Sequence, residues 1–355
     1  MDAETETMDG EGGCVHTIHT ELRRFFAGHL SGGSQNTVLV VAVSGGTDSL
    51  CLADALITLK DELGVEPIIA HLNHGLRGQA AIDDAEFVRS FAEQHQARCI
   101  ICAADVRSLA TDQHLSIEAA ARTARYRFLE DTCIAAGASF VAVAHNSDDQ
   151  VETVLLRLIR GSGISGLQGM RRASPLQTAK ASGRAPIMLL RPLLGISRAT
   201  TACYCVARQL KPRHDETNDE LHHTRNRIRH ELLPLLRQYN AGISTVLRRL
   251  AETAATDMEV VEYATHKTIS ALLVKGSLEE LILDRTVWRE LPVGLQRTVL
   301  RECVRRIAGD VTNLKYAGIE EARDVLNSAA ASGQIAILAT VRIHVNPSRF
   351  WFEKV

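Results

Sequence analysis

The hexapeptide Ser44-Gly45-Gly46-Thr47-Asp48-Ser49 joins an apolar run, TVLVVAV, to a stretch with helical spacing, DSLCLADALITLKDEL. Gly45 and Gly46 let the backbone approach a ligand closely, and the hydroxyls of Ser44, Thr47 and Ser49 can donate to anionic oxygens. The helix N-terminus behind them favours negative charge. Asp48, in the first turn, can hold a Mg²⁺ ion on a bound phosphate. The loop therefore suits a nucleotide phosphate. It lacks the Gly-Lys-Ser/Thr ending of the Walker loop and the G-x-G-x-x-G of dinucleotide sites, so no lysine grips a terminal phosphate.

A second group of reactive residue types lies in HNSDDQVET. Here Ser147 is the expected N-cap, with Gln150 completing a capping box, which sets Asp148 and Asp149 in the first helical turn. Glu152 then shares their face. Three carboxylates at one edge suit an amine substrate or a metal, although acids in a first turn also simply complement the helix dipole. Glu118 and Arg122 are spaced as an ordinary helical ion pair; Arg122 is alternatively free to face phosphates or a substrate carboxylate. His74 and Arg77 fall in a loop where a nucleotide would pass, and Arg160 with Gly161 ends a helix expected to return near the phosphates. In RNRIRH, Arg225, Asn226, Arg227 and Arg229 fan over a wide arc, which suits a curved RNA backbone more than one compact pocket.

The elements that position these residues are legible as alternating runs. Apolar segments at 37–43, 67–72, 98–103, 139–145 and 186–191 alternate with helical patterns near 48–63, 80–95, 116–136, 147–160 and 197–209. Near-continuous apolar strands between helices imply an α/β fold, a Rossmann-like parallel sheet covered on both faces. Ligands of such sheets sit outside the carboxyl ends of the strands, which is where the loop, His74 and the acidic cluster fall. After residue 240 the pattern is mainly helical, with one or two terminal strands in QIAILATVRIHVNPSRFWFEKV. The expected organisation is a disordered acidic tail at 1–15, an α/β domain at 16–235 and a smaller, mainly helical domain at 236–355. LQTAKASGRAP reads as a surface loop.

Composition narrows the partners. The 355 residues carry a formal charge of −2, yet residues 157–237 hold fifteen Lys and Arg against five acids. A neutral chain with one basic stretch is a candidate for a polyanionic partner. No apolar run is long enough for a membrane helix, and the acidic N-terminus is unlike a signal peptide. Eight cysteines without a secretory signal imply reduced thiols and a cytoplasmic location. Aromatic residues make up only 4% of the chain, so arginine stacking and phosphate contacts should dominate any RNA binding.

The loop resembles that of the PP-loop ATP pyrophosphatase superfamily, which cleaves ATP between its α- and β-phosphates and uses AMP to activate a substrate oxygen. Further segments occur in order: HLNHGLRG, SIEAAARTARYRFLED, AHNSDDQVETVLLRLIRGSGISGLQGM, RPLL and DETNDELHHTRNRIRHELLPLL. Together they resemble the tRNA(Ile)-lysidine synthetase family across residues 37 to about 237. The helical tail is similar to that family's first C-terminal domain, while the family's last domain has no counterpart. The resemblance implies ATP and Mg²⁺ as cofactors and ligation of free L-lysine to C2 of the wobble cytidine in a CAU-anticodon tRNA(Ile). On it, Ser44–Ser49, His74, Arg160 and Gly161 bind the nucleotide. Asp48 holds the metal, and Asp48, Asp149, Glu152 and Arg122 serve catalysis. Asp148, Asp149, Glu152 and Arg122 receive lysine, while Arg191, Arg225, Asn226, Arg227 and Arg229 contact the tRNA. No membrane partner is implied, and a homodimer stays open. The rivals are a 2-thiocytidine-type tRNA thiolase, against which Cys99 and Cys102 read as buried strand cysteines, and a tRNA-binding protein with an inactive nucleotide site.

Overall fold

The computed structural model describes residues 11–355 except 31–35, 177–185, 214–223, 277–280, 310–313, 329–332, 334 and 339. The chain divides into two compact units, Met1–Glu252 and Thr253–Val355. The expected surface loop, the acids of DETNDE and most of the acidic tail lie outside the described residues.

The first unit runs α1 (Glu11–His29), β1 (Thr37–Ala42), α2 (Thr47–Thr58), α3 (Lys60–Leu63), β2 (Val65–Asn73), α4 (Gln79–Gln94), β3 (Arg98–Ala103), α5 (Val106–Asp112), α6 (Ile117–Ala136) and β4 (Phe140–Ala142). It continues with α7 (Ser147–Ile159), α8 (Ile164–Leu167), β5 (Ala173–Pro175), β6 (Met188–Leu190), α9 (Arg198–Ala207), α10 (Thr224–Arg227), a π turn (Ile228–Leu232) and α11 (Leu233–Tyr239). The six strands form one sheet in the order β3-β2-β1-β4-β6-β5. All pairings are parallel except β5 with β6. β5 is the one strand of this sheet that the apolar pattern does not reveal. Strand order reverses between β1 and β4, and that switch point opens a crevice at the carboxyl ends of the strands.

Alternation within β1 explains the layering. Leu39, Val41 and Val43 pack with α1, α2, α4 and α9 on one face, whereas Val40 joins Leu129 and Cys133 of α6 on the other. A strand buried on both faces has no polar side to show, hence its unbroken apolar run.

Three expectations are corrected here. Residues 11–15, expected in the disordered tail, begin α1. Its Ile18, Leu22, Phe25 and Phe26 repeat at helical spacing and are buried in the first core. Cys14 and Cys203 form a disulfide between α1 and α9, where reduced thiols were expected throughout. The domain division falls at Glu252, not 235, because Leu233, Leu247 and Ala251 pack with Val151, Val154 and Leu155 of α7. The division lies within α12 (Ile243–Leu272).

The second unit is mainly helical, with α13 (Arg285–Arg289), α14 (Val293–Ala308) and α15 (Tyr316–Asn327) after α12. It also holds a five-stranded sheet, more than the one or two strands expected: β7 (Leu273–Gly276), β8 (Leu281–Asp284), β9 (Ile335–Leu338), β10 (Val341–Val345) and β11 (Arg349–Lys354). Arg285 is fully buried at its centre and donates to the carbonyls of Val325, Leu326, Ser328 and Asn346. Four carbonyl dipoles satisfy a guanidinium that otherwise could not be buried.

Candidate functional site

The glycine loop lies where β1 ends at the switch point. Gly45 has φ +91°, a left-handed conformation that disfavours any side chain. Ser49 Oγ donates to the Gly46 carbonyl at 2.9 Å and accepts from the Ser44 N–H at 3.2 Å, which closes the turn. α2 starts from Gly46 with no side-chain cap. α4 likewise starts from a glycine, Gly78, without a side-chain cap, whereas α5, α6, α7 and α9 are each capped by a side chain, from Asp105, Ser116, Asn146 and Ser197. The first N–H groups of α2 are thereby left for an anion.

Asp48 extends from this first turn. Its Oδ2 accepts from Asn146 Nδ2 at 2.9 Å and its Oδ1 from Thr201 Oγ1 at 2.5 Å. The nearest guanidinium, Arg198, has its Nε 3.9 Å away. Burial pushes the Asp48 carboxyl above its ordinary value, opposed by the Thr201 and Asn146 bonds and reinforced by the charge of Asp149. Its hydrogen bonds come from neutral donors, and its ion pair with Arg198, which favours the charged form, is long.

The acidic turn is capped one residue earlier than the sequence suggests. Asn146, not Ser147, is the N-cap, and Asp149, not Gln150, closes the capping box. The physical reason is in Gln150, which is buried and spent on the backbone of Gln168 and Met170. Asn146 thus has two tasks, starting α7 through its Oδ1 and holding Asp48 through its Nδ2.

The three acids are brought together, but with arginines. Glu152 is 1% exposed and accepts from Arg225 Nε at 2.9 Å and Arg229 Nε at 2.7 Å, with Arg198 Nη1 at 3.7 Å. Asp149 accepts from Arg198 Nη2 at 3.0 Å, and Asp148 from the Arg198 backbone N–H at 2.9 Å. Burial works against the Arg229 charge, yet the bond to Glu152 and the charges of Glu152, Asp149 and Asp148 leave it raised overall.

The basic segment therefore does not fan out as expected. Arg225 and Arg229 sit four residues apart and converge on one carboxylate, Asn226 is buried, and Arg227, 63% exposed, pairs with Glu231. The π turn follows directly. Leu233 N–H bonds back to the Ile228 carbonyl, so the ladder shifts just before Pro234, which has no N–H to give. Arg191, expected to contact the tRNA, is buried, with its Nη1 donating to the Arg171 carbonyl at 2.8 Å and Ser174 Oγ at 3.1 Å.

Other expected residues fall elsewhere. Arg160 and Gly161 are not near the loop: α7 starts at the ligand edge and runs away from it, about 18 Å by helical rise from its first turn to Arg160. His74 lies against Arg125 Nη2 at 3.4 Å, with its imidazole pushed down to about 4 by burial and by Arg125. Arg122 is exposed and stacks over Tyr126, 4.6 Å from the ring centroid. Cys102 is exposed and Cys99 half-buried, because β3 is an edge strand, so neither is the buried cysteine expected.

Four contributors escape a sequence reading: Asn146, Arg198, Thr201 and His145. Arg198 and Thr201 open α9 at the carboxyl end of β6, so the alternation of strands and helices carried a signal for them. His145 follows β4 and is held neutral, with its imidazole pushed down to about 3 by burial and by Arg191, Arg225, Arg122 and Arg125. Among the described residues no group of three or more His, Cys, Asp and Glu could cage a metal ion, and no helix is long and apolar enough to cross a membrane.

This geometry can hold a phosphorylated nucleotide beside a mixed acid and arginine centre, and the comparisons with known proteins agree with it. The chain is 36% identical over 321 residues to the tRNA(Ile)-lysidine synthase of Geobacter sulfurreducens, covering 90% of this chain and 66% of that protein. It is 35% identical over 292 residues to the tRNA(Ile)-lysidine synthase of Dehalococcoides mccartyi, covering 82% and 61%. The chain thus spans roughly three fifths of the length of the curated relatives it matches. Among solved structures, the U34-tRNA thiolase NcsA of Methanococcus maripaludis, determined with its 4Fe–4S cluster, aligns with a TM-score of 0.54 at 16% identity over 68% of this chain and 80% of that one, a likeness of fold alone. With the uncapped loop at the switch point of a parallel sheet, and residues 15–236 matching the family's domain, this chain belongs to the PP-loop domain family.

Proposed function

We propose that the chain ligates free L-lysine to C2 of the wobble cytidine of a CAU-anticodon tRNA(Ile), converting ATP to AMP and pyrophosphate and forming lysidine. The observation that carries this reading is Asp48, bound by neutral donors at the start of an uncapped helix and beside an acid and arginine centre. A pyrimidine O2 leaves poorly, so it must first be adenylated; the lysine ε-amine then attacks C2 and AMP departs.

The residues divide this work. The first turn of α2, with Ser44 and Thr47, holds phosphates, and Ser49, whose hydroxyl is expected from sequence to join them, instead closes the loop through the Gly46 carbonyl. Mg²⁺ fits Asp48, whose carboxylate is hydrogen-bonded by neutral donors, is partly open to solvent and has its guanidinium neighbour at 3.9 Å, and one carboxylate with substrate phosphates is a common way to bind that ion. The ion would neutralise phosphate charge when bound. Asp148 and Asp149, less buried than Glu152, are suited to an amine, while Glu152 organises Arg225 and Arg229. Arg198 spans Asp48, Asp149 and Glu152, where charge changes as pyrophosphate and then AMP depart. The substrates imply residence in the cytoplasm. A thiolase reading has weaker support, since Cys99 and Cys102 lack a third metal-ligating neighbour among the described residues.

The test is pyrophosphate release from ATP with a CAU-anticodon tRNA(Ile) transcript. Release that requires this transcript and whose AMP yield rises with lysine is expected; release indifferent to lysine would overturn the lysine assignment.

A further inference from the structure

The other side of the same sheet edge carries a cluster of different character. Arg122 lies over Tyr126, and Arg125 reaches His74. Arg157 Nη1 donates to the Gly169 and Gly166 carbonyls at 2.5 and 3.3 Å, and Arg191 is buried just beyond β6. Burial and the charges of Arg122 and Arg157 depress the Arg191 guanidinium, while Arg122, Arg125 and Arg191 act on His145. Among the described residues, the contacts of these four arginines are with aromatic, imidazole, hydroxyl and carbonyl groups, unlike Arg198, Arg225 and Arg229, which meet carboxylates.

Among the described residues, three buried nitrogens in this cluster have no hydrogen-bond partner: His74 Nδ1, His145 Nδ1 and Arg191 Nε. Buried polar atoms are rarely left so, and like charges gathered beside a buried guanidinium repel one another unless an anion joins them. A single amino-acid carboxylate brings one charge and two oxygens, too little for four guanidinium groups. Nucleotide phosphates have their own cradle at the start of α2, which packs on the opposite face of the sheet from α6. An RNA strand brings successive phosphates, each suited to guanidinium forks.

We infer that Arg122, Arg125, Arg157 and Arg191, with His74 and His145, form a second anion site, separate from the glycine loop, that binds phosphodiester groups of the RNA strand carrying the base to be modified. The inference rests on the RNA part of the proposed function. It assigns Arg122 to RNA in place of ATP phosphate or lysine carboxylate.

The test uses the full chain, with Arg122 and Arg125 chosen because both are exposed and their replacement spares the core. Binding of a labelled CAU anticodon stem-loop is followed by fluorescence anisotropy for wild type, Arg122→Gln, Arg125→Gln and the double variant, from about 50 to about 200 mM salt. ATP and lysine binding are measured on the same proteins by calorimetry. Each single variant should bind RNA about tenfold more weakly, and the double variant should lower the log–log salt slope by about 1.4, at about 0.7 for each phosphate no longer neutralised. ATP and lysine affinities should stay within about twofold, since neither ligand would touch the cluster. Unchanged RNA affinity and slope would overturn the inference and leave the proposed function standing, and a loss confined to ATP or to lysine would reassign the cluster to that ligand. Wild-type protein that binds no stem-loop would overturn both.

Discussion

Asp48 and Asp54 lie on the same helix, α2, and both face α9, yet they meet opposite environments. Asp54 is 1% exposed and accepts from Tyr204 Oη at 2.7 Å, Arg208 Nε at 2.9 Å and His95 Nε2 at 3.2 Å. Asp48 is 25% exposed and, among the described residues, accepts hydrogen bonds from Thr201 and Asn146, with Arg198 Nε 3.9 Å away and its carboxyl pushed up by burial. A buried carboxylate given a guanidinium, a phenol and an imidazole is an internal tie between helices. One given neutral donors, a guanidinium no nearer than 3.9 Å and an opening to solvent has room for a cation. The difference separates the residue that holds the α2–α9 pair together from the one the pair exists to present.

The largest effect that tests this contrast is on turnover. Asp48→Ala should lower ATP-dependent AMP formation by about 10³-fold, the scale of losing one electrostatic partner of the reacting charges. Its unfolding free energy in urea should stay within about 1 kcal/mol of wild type, because a carboxyl pushed up by burial contributes no stability as a charge. Asp54→Ala should reverse the pattern. It leaves Arg208 without its carboxylate and should cost about 3 kcal/mol in the same urea titration, below the full penalty of an orphaned buried ion because Arg208 reaches water. Turnover per folded molecule should then change by less than about threefold.

The third expectation concerns acid. The folded state holds His145 down to about 3 from an ordinary 6.5, through burial and the charges of Arg191, Arg225, Arg122 and Arg125. The unfolded chain therefore binds the proton first. The neutral form's contribution is complete above about 6.5 and is lost as pH falls toward about 3. Melting temperature should drop over that window, and His145→Gln should shallow the drop. The smallest effect is at Arg227, whose exposed pair with Glu231 should contribute less than about 1 kcal/mol, read from Arg227→Ala in urea.

How much of this was legible follows from where each signal resides. The five parallel strands and their helices were readable because both-face burial forces unbroken apolar runs, and the glycine loop because its residue types have few other uses together. The arginine pairings were not readable, because Glu152 meets Arg225 and Arg229 across seventy-odd positions of sequence, and Asp48 meets Thr201 across more. The N-cap was misread by one residue because Ser147 and Asn146 are both good caps, and only the tertiary use of Gln150 decides between them. The Cys14–Cys203 link joins elements 189 residues apart, and no local spacing announces it. α1 carried an apolar repeat, masked by the acidic stretch before it.

The central claim is that Asp48 serves a nucleotide-driven attachment of lysine to RNA. Its most direct test is incubation of the full chain with ATP, Mg²⁺, radiolabelled lysine and a CAU-anticodon tRNA(Ile) transcript, followed by digestion and nucleoside analysis. The account predicts ATP-dependent label at the wobble position, absent with Asp48→Ala. Hydrolysis of ATP to AMP and pyrophosphate with no label in the RNA, or labelling that survives Asp48→Ala, would contradict it.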